Sequence, residues 1–451
     1  MASTYLFRAN GSPTGTTKGT ISVWFKRSAL GSAQYLYGAY VNSTNRFKIE
    51  LNTSDIVEIN NINGGSDTII MNTNRKFRDT SAWYHLVFKV DTTQGTEADR
   101  VKLYINGVQE TSFSSVTYPS QDDTNWKALN SSSTIDIGAY NNGGGSSAGS
   151  RTSTWDGLMS HYHFTDGYAY DASTFGSTDS TTGEWKINTS PSITMGNNGF
   201  TILKDGNTYT DQSANSNNFT LSGTLTNTED CPSNVFATLN PLQGGQAGTM
   251  GLIEGNLYLS GNGTSSWRAI GATLADNSGK YYWEAKCIGN SGGTTIRAGI
   301  CDVEQMPVAA GTKFTSQSRG WGITTGGNVT NNDSSVGGWT GTSWTTNDIL
   351  MFALDLTNSK FYIGKNGTWM NSGDPTTGST GTGALSITSG YYYTPAHENY
   401  DAAANFAYNF GNGYFRTTAI SSEGTNASGI GKFEYDVPAN YTALSTKGLN
   451  E

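Results

Sequence analysis

The chain has 451 residues, room for two or three domains, and a net charge of −9 from 27 basic and 36 acidic side chains. Only 14% of residues are charged, 12% are aromatic and 56 are glycine, which supplies enough apolar material for packed cores and argues against disorder. The basic residues do not cluster, so nucleic-acid binding is not expected, and without a long charge-free run neither is membrane insertion.

The predicted elements are strands. Gly19–Lys26 alternates Ile21, Val23 and Phe25 against Ser22, Trp24 and Lys26, the period-2 pattern of a sheet with one buried face. Ala82–Val90 is a long β-favouring run, and Arg100–Ile105 alternates into Asn106-Gly107, a two-residue hairpin signal. The nearest helical candidate is the short Tyr170–Phe175. From about Gly206 the chain turns Asn/Ser/Thr-rich, with Cys231-Pro232 and Asn240-Pro241. A second strand series follows: Lys280–Lys286, Thr295–Cys301, Asp348–Leu356, and Lys360–Gly364 leading to a second hairpin at Asn366-Gly367. Many short strands with regular turn signals predict an all-β chain of two tandem antiparallel β-sandwiches. The expected boundaries are 1–190 for the first sandwich, 191–245 for a connecting segment and 246–451 for the second. Fibre-type repeats are absent. Cys231, Cys287 and Cys301 form no CxxC pair and read as plain thiols. The opening Met1–Arg8 lacks the basic start and apolar core of a signal peptide, so synthesis in a cytoplasm without secretory export is expected.

Ile21–Lys26 with Tyr37-Gly38, and Trp83–Phe88 with the Val101–Gly107 hairpin, resemble the laminin-G-like, concanavalin A-like lectin/glucanase family. Ile135–Gly138 and Trp155–Ser160 resemble that family's closing strands, so the likeness spans about residues 1–190 and implies a jelly-roll, lectin-like sandwich. The second half resembles a SPRY domain through Gly279–Glu284, Ala298–Asp302, Gly320–Ile323 and Asp348 through Trp369. The stretch from Phe164-Thr-Asp-Gly167 to Phe236–Pro241, with Phe433–Pro438 and Tyr441–Leu444, is similar to tail-fibre-like proteins of marine bacteriophages. That resemblance implies a virion surface protein of the tail-fibre or spike type, made in the bacterial host cytoplasm. Its implied partners are other virion proteins and a host cell-surface glycan or protein, and its implied assembly is a homo-oligomer, a trimer for an appendage. A head decoration or tail-connecting protein is a second reading, and a polysaccharide depolymerase a third.

Concanavalin-like glycosidases carry two carboxylates about the scissile bond, as Glu-x-Asp-x-x-Glu on one strand. That pattern is absent, Asp302-Val-Glu304 being one acid pair at a strand end, so no catalytic residues are assigned. His85 reads as a satisfied sheet residue. His161 and His163 share a strand face but lack a third ligand nearby in sequence. No phosphate loop occurs. Calcium is the one cofactor with candidates, Asp156, Asp166 and Asp171, which read equally as turns at Asp156-Gly157 and Asp166-Gly167. Ligand-binding candidates lie on loops that join aromatic faces to amide and carboxylate groups. In the second domain they are Asn332, Asp333, Trp339, Trp344, Tyr391, Tyr392 and His397; in the first, Tyr140, Asn141 and Asn142. The Trp pair is open to a second reading, packing at the core edge.

Overall fold

The structure is a computed structural model that describes residues 4–141, 143, 151–204, 208–243, 250–261, 266–290, 295–400 and 405–450. The chain is all-β and divides into two units, Met1–Asn227 and Thr228–Glu451. Each is a β-sandwich. Among the described residues no helix is long and apolar enough to cross a membrane.

In the first unit an eight-stranded sheet faces a six-stranded one. The central strands of the smaller sheet are Gly157–Asp166, Lys18–Arg27 and Tyr84–Asp91, all antiparallel. Ile21, Val23 and Phe25 point into the core, as their alternation predicts, and meet Tyr37, Phe47, Ile49 and Ile59 of the larger sheet. Trp126 closes the core edge-on to Phe47, with ring centres 5.5 Å apart. The predicted hairpin is present: Asn106 and Gly107 take φ of 48° and 79°, the left-handed pair that a two-residue turn between twisted strands requires. Tyr170–Phe175 holds only a 3₁₀ turn at Ala172–Thr174.

The unit boundary falls inside the segment 191–245 expected to connect the domains. Part of that segment belongs to the first sandwich. Phe200–Ile202 extends the smaller sheet beside Gly157–Asp166, and Thr220–Ser222 extends the larger one beside Tyr5–Ala9. Phe200 and Phe219, apolar islands in a polar stretch, pack into the core at a centroid distance of 4.8 Å.

The second unit pairs a nine-stranded sheet with a six-stranded one. Its long strand Lys280–Gly289 alternates Tyr281, Trp283, Ala285 and Cys287 into the core, where Trp283 stacks on Phe352 at 5.3 Å. The opposite face, Tyr282 and Glu284, is covered by the C-terminal segment through Phe433, Val437 and Tyr441. Thr442–Ala443 then runs parallel to Tyr281-Tyr282, beside the otherwise antiparallel ladder. The unit's two ends meet, since Ala237 N donates to Leu444 O and Thr446 N to Val235 O, both at 2.9 Å.

Glu284 fastens that cover. Its carboxylate accepts from Tyr435 N at 2.8 Å, Glu434 N and Tyr282 Oη at 3.0 Å, and Asn409 Nδ2 at 3.2 Å. Burial pushes this acid up to about 7, against the pull of those donors. The folded chain therefore holds the proton more tightly than the unfolded one. The stabilisation is complete below pH 4.5, declines as pH rises through about 7, and is flat above. Relative to Glu284→Gln, which cannot titrate, the wild-type second unit should lose roughly 3 kcal/mol between pH 4 and 8. Parallel stability curves for the two proteins across that range would refute this coupling.

Candidate functional site

One end of the six-stranded sheet of the second unit gathers exposed polar and aromatic groups. In its ladder Asp302 faces Tyr393 and Cys301 faces Gly320, so the segments just beyond the strands emerge together. Arg319 Nε donates to Asp302 Oδ2 at 2.6 Å, and the guanidinium lies over the Tyr391 ring at 3.9 Å, within cation–π range. Val303 N donates to Tyr392 O at 2.9 Å, leaving the Tyr392 ring 52% exposed. The neighbouring turn joins through the same chain segment. Asn332 N donates to Gln317 O and Asp333 N to Thr315 O, at 3.3 and 3.0 Å, and Lys313 pairs with Asp333. Asn332 and Asp333 both take left-handed φ, 49° and 57°, which Asn and Asp tolerate. Asn331 Nδ2 anchors the turn to the carbonyls of Ser318 and Gly320, at 3.0 and 2.9 Å. The result is a surface with the exposed Tyr392 ring, the part-buried Tyr391 under Arg319, an ammonium, an amide and a carboxylate.

Four sequence-predicted residues thus lie at this sheet end: Asn332, Asp333, Tyr391 and Tyr392. Three others do not. Trp339 and Trp344 are 9% and 3% exposed and belong to the core; Trp344 packs edge-on to Phe406 at 5.4 Å. Their loop folds the indoles inward because their large apolar area is worth more buried than displayed. His397 is in the strand Tyr393–Asn399 rather than a loop. It is fully buried against Phe406, with Nδ1 bonded to Tyr408 Oη at 2.9 Å. Burial lowers it to about 3, so it stays neutral.

In the first unit Tyr140 is half-buried against Tyr35, 4.9 Å between centroids. Asn141 is buried and donates to Asp136 Oδ2 at 3.0 Å; neither forms a surface platform. Asn142 lies outside the described residues. The calcium candidates do not converge: no group of three or more His, Cys, Asp or Glu among the described residues is placed to hold a metal. Asp166 accepts from the backbone N–H of Thr14 and Asn198 at 2.8 and 3.0 Å, while Asp171 engages Lys89 and Tyr104. Asp156 is half-buried, and burial raises its carboxyl.

His85 and His163 are buried in the packing of the first unit. His85 stacks on Trp24 at 4.6 Å, bonds Ser22 Oγ at 2.9 Å and accepts from Trp185 Nε1 at 3.0 Å. His163 stacks on Phe175 and bonds Thr201 Oγ1 at 2.9 Å. The acid pair noted in sequence is divided between roles, Asp302 buried on Arg319 and Glu304 largely in solvent. The residues that sequence reasoning misses are Arg319 and Lys313. Arg319 directly precedes the Gly320-Trp-Gly strand, but nothing local pairs it with Tyr391.

Residues 2–173 match the family model described as concanavalin A-like lectin/glucanases superfamily. The first unit is similar to that lectin/glucanase group. A search of curated proteins gives no match. Similar solved structures include the SPRY domain of human HERC1, at 16% identity over 38% of this chain and 93% of that one, TM-score 0.29. A human SPRY domain matches at 12% identity over 36% and 94%, TM-score 0.27. The native heptameric SAP-like pentraxin from Limulus polyphemus matches at 13% over 36% and 70%, TM-score 0.26.

Proposed function

We propose that this protein is a bacteriophage virion surface protein, of the tail-fibre or spike type, that binds a host-surface glycan without cleaving it. The observation that carries the binding site is the meeting of Tyr391, Tyr392, Arg319, Asn332 and Asp333 at one sheet end. Tyrosine faces suit the apolar side of a sugar ring, and fixed amide, carboxylate and guanidinium groups suit its hydroxyls. The lectin-like match over residues 2–173 supports glycan as the ligand class. Virion placement rests on the tail-fibre-like motifs between Phe164 and Pro241 and at the C-terminus. Individual contacts at such a surface are weak, and an oligomer of the trimeric kind multiplies them.

The test uses the purified full chain with intact host cells and a panel of bacterial surface polysaccharides. Binding is expected, and Tyr392→Ala should weaken it roughly tenfold per site, about 1.4 kcal/mol. An exposed residue whose loss leaves binding unchanged, or a protein that binds no glycan in any oligomeric form, would sink the proposal. Release of reducing ends would replace binding by depolymerase activity, and imaging of the protein on the head would replace the tail assignment.

A further inference from the structure

The first unit carries a second polar feature, a groove of about 400 Å³ at the edge of the eight-stranded sheet. It is lined by Phe7, Arg8, Ser216, Asn217, Asn218 and Thr220. One wall is the antiparallel pair Phe7 and Thr220. The other is the turn 211–219, held shut by Asp211, whose carboxylate accepts from the backbone N–H of Thr201, Ser213 and Asn217 at 2.9, 2.9 and 2.7 Å. Asn217 Nδ2 adds bonds to the carbonyls of Asn197 and Gly199, both 2.8 Å. The groove is thus preformed by interior bonds, while Ser216, Asn218 and Thr220 are exposed.

Arg8 is the unusual member. It is half-buried, donates to Asn198 O at 3.2 Å and Asn217 Oδ1 at 2.8 Å, and lies 5.9 Å from the centre of the Phe219 ring. Arg27, Arg78, Arg151, Arg297, Arg319 and Arg416 each close on a carboxylate, whereas Arg100, like Arg8, donates to backbone carbonyls. Among the described residues Arg8 makes no ion pair, although burial disfavours its charge; the acid that acts on it through space, Asp211, is committed to the turn. A guanidinium has five N–H donors in a planar fork that matches a carboxylate, and the two bonds of Arg8 go to neutral oxygens.

We infer that this groove binds the carboxylate of an acidic sugar residue of the uronate type, with Arg8 as anchor and Ser216, Asn218 and Thr220 facing the hydroxyls. The inference rests on the glycan-binding reading but places a separate site on the other unit. The volume is at the small end of ligand pockets, suited to one or two sugar rings. A protein of net charge −9 with a single cation here favours one carboxylate among hydroxyls over a continuous polyanion.

The full chain is titrated with sodium glucuronate, glucose, acetate and inorganic phosphate, followed by ligand-observed NMR. Glucuronate should bind with Kd on the order of 1 mM, glucose at least tenfold more weakly. Arg8→Gln should weaken glucuronate at least tenfold. Because Arg8 also ties the turn down, Thr220→Trp, an exposed position that fills the groove, serves as the second variant. It should abolish glucuronate binding with the melting temperature unchanged. Equal binding of glucose, glucuronate binding that survives Thr220→Trp, or acetate and phosphate as effective as glucuronate would each overturn the acidic-sugar site. Tyr392→Ala leaves this titration untouched, so the two sites fail independently.

Discussion

Replacing Glu284 by alanine should destabilise the second unit by on the order of 4–5 kcal/mol, the largest single-residue effect we expect in that sandwich. The change removes the acceptor for Tyr282 Oη, Asn409 Nδ2 and the N–H groups of Glu434 and Tyr435. Each buried donor left without a partner costs about 1–3 kcal/mol, and the cover over Tyr282 is loosened as well. For a unit of this size that corresponds to a fall in melting temperature of about 10–15 °C. Calorimetry on the full chain should show the transition of the second unit move and that of the first stay in place. A loss below about 1 kcal/mol would mean that apolar packing of Phe433 and Tyr441, rather than Glu284, holds the segment.

The first unit has its counterpart in Asp136 and Arg151. Both side chains are fully buried; Arg151 Nε donates to Asp136 Oδ1 at 2.8 Å, and its guanidinium sits 5.5 and 5.3 Å from the rings of Tyr5 and Phe7. Asp136→Ala leaves the guanidinium buried without its counter-charge, which should cost about 3–5 kcal/mol. The double change Asp136→Leu with Arg151→Met should recover most of that loss, because the pair's mutual attraction is largely offset by the desolvation of both ions. Chemical denaturation of the three proteins measures the difference. A double variant as unstable as Asp136→Ala would show that the ion pair gives the net stabilisation itself.

Features whose cause is local can be read from the sequence. Alternation around Ile21–Phe25 marks a buried face, and Asn-Gly at 106 and 366 marks hairpins, because two left-handed residues are needed at those points. Alternation over Tyr391–Tyr393 implies that at least one ring packs inward, and Tyr393 does. What fails depends on distant partners. Asp166 reads as a turn or a metal ligand until Thr14 and Asn198 are seen to donate to it. Trp339 and Trp344 sit among Gly, Thr and Ser, a loop composition, yet they fill the space beside Val329 and Phe406. His397 lies among polar neighbours, but its strand is central and both faces are covered. Arg8 gives no local sign at all, since the turn that makes its groove is supplied by Asp211–Phe219 at the far end of the unit.

In each sandwich the first and last segments are hydrogen-bonded neighbours: Tyr5–Phe7 with Thr220–Ser222, and Val235–Ala237 with Leu444–Thr446. Such a unit occupies no more length along its parent chain than the gap between two adjacent strands. It can be spliced into a loop of another protein, or removed from one, without separating the residues on either side. The same closure sets a condition on synthesis, since neither sheet can be completed until its last strand has been made. Adjacent ends of this kind permit each sandwich to be moved as a unit, and a truncation that reaches its last paired segment takes away a strand rather than a tail.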